Sequence, residues 1–169
     1  VNSAGAVTLA VDPDYETQQG YDFTVVATDA AGNSSEQAVA LSITNLDDTA
    51  PTITSGGTAA AVVENSGAGQ VVYTVTSDDS ADVSGGVSYA LGGTDAALMS
   101  IDSASGAVTL TGDPDEESQA SYAFTVTATD AASNSSEQAV TLSVTDLDEV
   151  APSITSCLLY TSPSPRDNR

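Results

Sequence analysis

An internal duplication constrains this chain more than any other feature of its sequence. Residues 7–55 align without a gap to residues 108–156, and 34 of the 49 positions are identical. A repeat of roughly 100 residues has the length of a whole domain and is too long for one unit of a solenoid. We therefore predict that residues 52–152 form one complete repeat. Residues 1–51 would be the C-terminal half of the preceding repeat, and residues 153–156 would start the next one.

A short acidic segment ends each copy of the duplication. Asn45-Leu46-Asp47-Asp48-Thr49-Ala50-Pro51 returns as Asp146-Leu147-Asp148-Glu149-Val150-Ala151-Pro152. Each copy lies between two runs of alternating apolar residues. Proline fixes φ, lacks a backbone donor and biases the preceding residue towards an extended conformation. The segment therefore indicates a stiff joint between tandem domains.

The C-terminal end departs abruptly from the repeat pattern. Residues 157–169 resemble a translated sequencing adapter, and the alternative is a natural disordered tail. Such segments are excluded from reasoning about the fold. They contain the only cysteine, Cys157, and both basic residues, Arg166 and Arg169. Because residue 1 is a valine in the middle of a repeat, we expect that both ends reflect a truncated reading frame.

The rest of the chain is uniformly anionic. Of the 24 acidic residues only Asp167 follows residue 156, so residues 1–156 carry 23 acids, no Lys, Arg or His, and a net charge of −23. Nucleic acids and anionic membranes need basic patches, so neither is a predicted partner. No apolar run is long enough to span a bilayer, so we predict no membrane insertion of this fragment. The absence of native cysteine predicts a fold without disulfides.

Apolar residues alternate with polar ones along most of the chain, which is typical of strands with one face on a core. In the complete repeat the alternating positions are Ala61 and Val63; Val71, Tyr73 and Val75; Val87, Tyr89 and Leu91; Leu98 and Ile101; Val108 and Leu110; Tyr122, Phe124, Val126 and Ala128; Val140, Leu142 and Val144. About seven such strands separated by glycine-rich turns predict an all-β, Ig-like Greek-key sandwich. The half repeat lacks the strands equivalent to residues 56–100, so we expect it to have an open core and unpaired edges.

Several acidic motifs follow one another in a fixed order. They are Val63-Glu64-Asn65; Asp14-Tyr15-Glu16 and Asp115-Glu116-Glu117; Asp78-Asp79-Ser80-Ala81-Asp82; Ala27-Thr28-Asp29 and Ala128-Thr129-Asp130; and the acidic joints. This order resembles a cadherin-type repeat, of the bacterial cadherin-like kind found in large surface adhesins, over all of residues 1–156. Two asparagine positions of the family's linker are changed here, and the glycine expected after Asp130 is missing.

The resemblance implies calcium sites at the joints. Ca²⁺ takes six to eight oxygen ligands, and a chain without native cysteine or histidine offers only oxygen, which suits calcium better than zinc or copper. The joint between the half and the complete repeat would use Asp14, Glu16, Asn45, Asp47, Asp48, Asp130 and two of Asp78, Asp79 and Asp82. Half of the following joint would be Glu64, Asp115, Glu117, Asp146, Asp148 and Glu149. The alternative is that these acids only cap turns and solubilise the surface.

These observations bear on three functions. The first is a calcium-stiffened spacer or adhesion repeat of a large bacterial adhesin, secreted or on the cell surface. Its partners would be neighbouring repeats of the same chain, with homophilic or host-surface contacts made by other domains. The second is a bacterial Ig-like ligand- or glycan-binding module without metal, which Thr28-Asp29-Ala30-Ala31-Gly32-Asn33-Ser34 also resembles. An enzyme is disfavoured, because without His, Lys or native Cys most nucleophile and base arrangements are closed, and nothing places a carboxylate pair across a pocket.

Overall fold

The computed structural model describes residues 5–83 and 85–155, so the adapter-like tail predicted at 157–169 lies outside the described residues. The strands are β1 (Gly20–Thr28), β2 (Ser34–Ser42), β3 (Thr52–Ile53), β4 (Val62–Val63), β5 (Val71–Thr74), β6 (Ser77–Asp78), β7 (Ser88–Gly92), β8 (Met99–Ile101), β9 (Ala107–Leu110), β10 (Ser121–Thr129) and β11 (Ser135–Thr145). In this part of the chain the only helical element is a 3₁₀ turn at Ala96–Leu98. The all-β prediction is confirmed.

The complete repeat is a two-layer sandwich. One sheet has the order β4-β11-β10-β7, and the other layer contains the β5-β9-β8 sheet and the short β3-β6 pair. The layers meet where Tyr73 of β5 packs edge-on against Phe124 of β10, with ring centroids 5.9 Å apart. Roughly seven predicted strands become nine segments, because several strands are interrupted after only two to four residues.

Alternation places the core along the two longest strands. Tyr122, Phe124 and Val126 of β10 are buried, and so are Leu142 and its neighbours two residues away on β11. The residues between them face solvent or are half-buried. Removal of such aliphatic and aromatic side chains from water is the main favourable term in folding. β11 therefore anchors the acidic segment at residues 146–152 that follows it, and β10 anchors Asp130, which follows its last residue.

The predicted phase is wrong at β4. Ala61 and Val63 were expected to face the core, but Val62 is buried and Val63 is 46% exposed. β4 has only two residues and pairs in parallel with the end of β11, where Val62 lies opposite Val144. That register turns Val62 inward, and a strand of two residues gives too little sequence to show its phase.

The phase also slips at two irregular points. Leu98 was expected in the core but lies on the 3₁₀ turn and is 43% exposed, and Met99 is buried in its place. Val71 is exposed because the register shifts between Val71 and Tyr73, as at a β-bulge. An alternation read from sequence assumes an uninterrupted strand, and neither place has one.

The described strands of the half repeat are β1 and β2. They form a hairpin with the same pairing register as β10–β11. Tyr21 pairs with Leu41 as Tyr122 pairs with Leu142. The exposure of the matched faces differs: Tyr122 is buried, whereas Tyr21 is half-buried above an open apolar groove. Val7 and Leu9 also line this groove, but within the described residues no second sheet covers this face of β1 and β2.

Candidate metal centres

Glu64 is the centre of an acidic cluster at the base of the complete repeat. It follows β4 directly and is only 1% exposed. One carboxylate oxygen, Oε2, accepts a hydrogen bond from the backbone N–H of Glu116 at 2.7 Å, and Oε1 accepts one from the backbone N–H of Leu147. These bonds, Leu147 first, hold the pKa of Glu64 below its usual value. Glu64 thus joins the loop before β10 to the linker after β11.

Three further carboxylates converge on Glu64. Oxygens of Glu64, Glu117, Asp146 and Glu149 all lie within 4.8 Å of one another. The hydrogen bond from its own backbone N–H lowers the pKa of Glu117, but burial and the charges of Glu149 and Glu64 outweigh that bond and raise this pKa overall. The amide Nδ2 of Asn65 approaches Glu149 Oε1 at 3.4 Å. Residues 1–156 contain no Lys, Arg or His to offset this repulsion.

Two other acids predicted for this half-joint are directed elsewhere. Asp115 accepts hydrogen bonds from the backbone N–H of Ser118 at 3.0 Å and from its hydroxyl at 2.8 Å. Asp148 Oδ1 accepts a bond from the backbone N–H of Val150 at 3.3 Å. Neither belongs to the four-carboxylate cluster, and both act as turn caps.

A second acidic cluster forms where the linker at residues 45–48 meets the complete repeat. Asp82 Oδ1 accepts a hydrogen bond from Asn45 Nδ2 at 2.7 Å, and its Oδ2 accepts one from the backbone N–H of Asp48 at 3.3 Å. Glu16 lies near this pair. The hydrogen bond from its own N–H lowers the pKa of Glu16, but burial and the charges of Asp82, Asp48 and Asp14 raise this pKa overall.

The other side of the same cluster contains Asp130 and Asp47. Asp130 is 6% exposed, and Asn134 donates to its Oδ2 at 2.9 Å and to the Asp47 carbonyl at 3.1 Å. Burial pushes the pKa of Asp130 upward, but the hydrogen bonds from Asn134 and from the backbone of Ala132 and Ser133 together outweigh it and lower this pKa. Burial first, and then the charges of Asp130, Asp79 and Asp82, raise the pKa of Asp47.

The structure separates the three acids between the second and third predicted strands. Asp82 contacts the linker directly, and Asp79 lies close enough to influence the pKa of Asp47. Asp78 sits at the end of β6 and accepts a hydrogen bond from the backbone N–H of Ser80 at 3.0 Å. Asp14 likewise caps a turn, as its counterpart Asp115 does, through Thr17.

In the described part of the chain, the side chain of Asn45 places an amide oxygen without a hydrogen-bond partner in the linker cluster. Its Nδ2 donates to Asp82, whereas its Oδ1 is buried and has no hydrogen-bond partner among the described residues. A buried amide oxygen without a partner is unfavourable. Amide and carboxylate oxygens are the ligands that a hard cation such as Ca²⁺ prefers. The oxygen ligands present at this joint therefore fit calcium.

Sequence reasoning missed Asn134. The signal was present, because Asn33 occupies the matched position of the half repeat within the same Asn-Ser-Ser-Glu-Gln segment. The predicted set contained carboxylates and Asn45 but not this neutral donor, which lies between Asp47 and Asp130.

The family model for the cadherin domain matches residues 58–145, which is just over half of the chain. The chain belongs to the cadherin family. Cadherin domains are extracellular adhesion modules, not enzymes, and they bind Ca²⁺ as a class. The matched residues span β7, β10 and β11 together with Glu64 and the loop before β10. In the described residues no helix has the length and apolar character needed to cross a bilayer.

Named cadherins from animals are similar to this chain. The protocadherin-like wing polarity protein stan of Drosophila melanogaster is 31% identical over 95% of this chain but only 5% of its own length. Human cadherin-related family member 2 is 33% identical over 82% of this chain and 11% of its own length. The structure of the protocadherin gammaB7 EC3-6 cis-dimer has a TM-score of 0.59 at 26% identity, covering 90% of this chain and 38% of that one. The chain thus spans a small part of these relatives, and its bacterial origin stays a prediction.

Proposed function

We propose that this cadherin chain is a calcium-stiffened extracellular spacer and adhesion repeat, with Ca²⁺ bound at the joints between consecutive repeats. The convergence of four carboxylates within 4.8 Å supports this proposal most directly. Like charges this close repel one another, and a divalent cation among them would replace that repulsion by attraction.

Two groups of side chains would hold the ions. At the base of the complete repeat they are Glu64, Glu117, Asp146 and Glu149, with Asp115 and Asp148 as further predicted ligands. At the linker they are Asp14, Glu16, Asn45, Asp47, Asp48, Asp79, Asp82 and Asp130. Asp78, which caps its own turn, is the weakest of the predicted ligands. Bound Ca²⁺ would supply the charge compensation that the chain lacks.

The chain's own contribution is to fix these oxygens in place. Glu64 is held by two backbone N–H groups from two different loops, so its carboxylate is oriented without any ion. Asp130 is fixed by Asn134 in the same manner. Ligands that are already oriented lose less conformational entropy on binding, which favours affinity.

The proposed setting is the outside of a cell. Extracellular modules bind Ca²⁺ at about 0.1–1 mM, a concentration found there and not in the cytosol. Secretion or display on a bacterial surface, as part of a large adhesin, is the finer proposal. Neighbouring repeats would be the direct partners, and other domains would recognise the homophilic or host-surface target.

Thermal unfolding tests this function. The whole chain would be melted in EDTA, in 5 mM Ca²⁺ and in 5 mM Mg²⁺, with Glu117→Gln and Glu149→Gln as site variants and the exposed β11 residue Glu137→Gln as the charge-matched control. Ligand binding to the folded state raises stability by RT ln(1 + [L]/Kd), so Ca²⁺ should raise Tm of the parent and the control. The site variants should lose the part of that increase that comes from the cluster at the base of the complete repeat, and should keep the part that comes from the linker. An unchanged Tm of the parent in Ca²⁺ would refute the proposal.

A further inference from the structure

The turn between β10 and β11 contains a neutral donor placed between two carboxylate groups. Asn134 Nδ2 lies 2.9 Å from Asp130 Oδ2, 3.1 Å from the Asp47 carbonyl oxygen and 3.4 Å from Asp47 Oδ1. Asp130 belongs to the complete repeat and Asp47 to the linker before it, 87 residues from Asn134 in sequence. One amide group therefore bridges the joint.

We propose that Asn134 is a metal-independent clamp, a positioning residue whose side-chain amide holds the linker at residues 45–48 on the complete repeat when no ion is bound. Residues 1–156 contain no Lys, Arg or His, so none of these residues can place a side-chain cation between the acids. A primary amide is then the one kind of side chain among these residues that has two N–H donors, so it can serve two acceptors at once.

Asn45 on the linker side acts in the same direction. Its Nδ2 donates to Asp82 Oδ1 at 2.7 Å, and the backbone N–H of the linker residue Asp48 donates to Asp82 Oδ2 at 3.3 Å. The linker is therefore fixed at two points, Asp82 and Asn134. The side chain of Asn134 is the contact that comes from the β10–β11 turn.

The duplication provides a matched control within the same molecule. Asn33 makes the same local contacts in the half repeat: its backbone N–H donates to Asp29 Oδ1 at 2.8 Å and its Nδ2 to Asp29 Oδ2 at 2.9 Å. The corresponding distances for Asn134 and Asp130 are 2.8 and 2.9 Å. Asn33 is exposed, whereas Asn134 is half-buried against the linker. Substitution of either residue removes one identical local bond, and only substitution of Asn134 removes the contact with Asp47.

The proposal is tested by NMR of the ¹⁵N-labelled whole chain in EDTA, comparing Asn134→Ala with Asn33→Ala. Loss of the bridge should speed hydrogen exchange of the Asp48 N–H by about tenfold, because one or two hydrogen bonds no longer oppose opening of the linker. The ¹H–¹⁵N NOE of residues 46–50 should fall in parallel. Asn33→Ala should change neither quantity. Amide exchange along β10 and β11 verifies that the sandwich of each variant is intact.

A second variant separates a clamp from a merely structural residue. Asn134→Asp keeps the size of the side chain but replaces the donor by a third carboxylate beside Asp47 and Asp130. It should loosen the linker more than Asn134→Ala, and 1 M NaCl should remove the excess, because salt screens repulsion between charges. Equal effects of Asn134→Ala and Asn33→Ala, or unchanged exchange at Asp48, would overturn the proposal. Since every measurement is made in EDTA, these outcomes are independent of whether calcium binds.

Discussion

At the scale of single residues, Glu64 and Glu117 show how one cluster imposes opposite conditions on two carboxylates. Glu64 is buried and receives two backbone N–H donors, so its charged form is favoured. Glu117 is exposed, and the charges of Glu149 and Glu64 contribute to its raised pKa. The two side chains share a cluster but should contribute to metal-free stability with opposite sign.

Glu64→Gln should destabilise the complete repeat even without metal. Glutamine has one acceptor oxygen where two N–H groups need one each, so its NH₂ would face the N–H of Leu147 or Glu116. We expect Tm in EDTA to fall by roughly 4–8 °C. Glu116→Gln removes the same charge from a neighbouring side chain and should leave Tm nearly unchanged. Because the pKa of Glu64 is lowered on folding, its contribution is present above pH 4.5, its usual pKa, and is lost as pH falls through the folded value.

Glu117→Gln should do the reverse in EDTA. The pKa of Glu117 is raised on folding, so the parent gains stability as pH falls through that raised value and loses it at neutral pH. Neutral glutamine should therefore raise Tm at pH 7 in EDTA and flatten the pH dependence between pH 7 and 5. A lower Tm in EDTA, measured by differential scanning calorimetry, would show that Glu117 stabilises the fold by some other contact.

The sequence predicts which acids form the base cluster, but it does not predict the direction of every candidate side chain. Glu64, Glu117, Asp146 and Glu149 were all predicted from motif order, and the structure brings them together. The direction of each side chain was not predictable, because a local donor decides it: Asp115 is captured by Ser118 three residues away. Asn134 was not predicted: its repetition as Asn33 marked the position, but its contact with Asp47, 87 positions earlier in the chain, appears only in the fold.

At the scale of elements, the two hairpins can be compared directly, because their registers match and their surroundings differ. β1–β2 and β10–β11 share register and most of their sequence, but within the described residues β1 and β2 pair only with each other, whereas β10 also pairs with β7 and β11 also pairs with β4. The alternation in sequence correctly predicted strands over residues 122–128 and 140–144. It failed at β4 and at the 3₁₀ turn, where pairing with distant strands sets which residue turns inward.

Phe124→Ala should cost about 3–5 kcal/mol of unfolding free energy, the usual loss for a buried phenylalanine. Phe124 is 2% exposed and packs on Tyr73. The matched change Phe23→Ala, in a half-buried side chain, should alter unfolding of the complete repeat by about 0.5 kcal/mol or less. Urea unfolding measures both. If Phe124→Ala does not fold, Phe124→Leu keeps most of the volume and should show a smaller loss of the same sign.

Hydrogen exchange should separate the hairpins as well. Amides of β1 lie in a ladder with β2 alone, and within the described residues the apolar face of this pair has Val7 and Leu9 beside it but no second sheet over it. Local opening needs less free energy where fewer buried contacts oppose it. Exchange at Val25 should therefore be at least about tenfold faster than at its counterpart Val126, which is fully buried. Equal protection would mean that another part of the molecule covers β1.

At the scale of the whole molecule, net charge decides how the chain responds to ions. Residues 1–156 carry a charge of −23. Screening by salt alone should therefore stabilise the folded chain, because it weakens the repulsion between the acids. A bound ion acts differently from a screening atmosphere, because it needs particular oxygens at particular positions. The two effects can be separated by comparing salts at one ionic strength.

We expect NaCl to raise Tm gradually between 0.01 and 1 M, as the Debye length falls from about 30 to about 3 Å. Millimolar Ca²⁺ should add a further, saturable increase on top of 0.15 M NaCl, where a few millimolar of any divalent salt changes the Debye length little. Mg²⁺ should produce much less of that increase, since it demands a smaller octahedral site and dehydrates reluctantly. Equal curves for Ca²⁺ and Mg²⁺ at matched ionic strength would mean that the acids of the joints respond only to screening. Calorimetric melting of the whole chain in the three salts decides between these outcomes, because only a specific site gives a calcium increase that is reduced in Glu117→Gln and unchanged in Glu137→Gln.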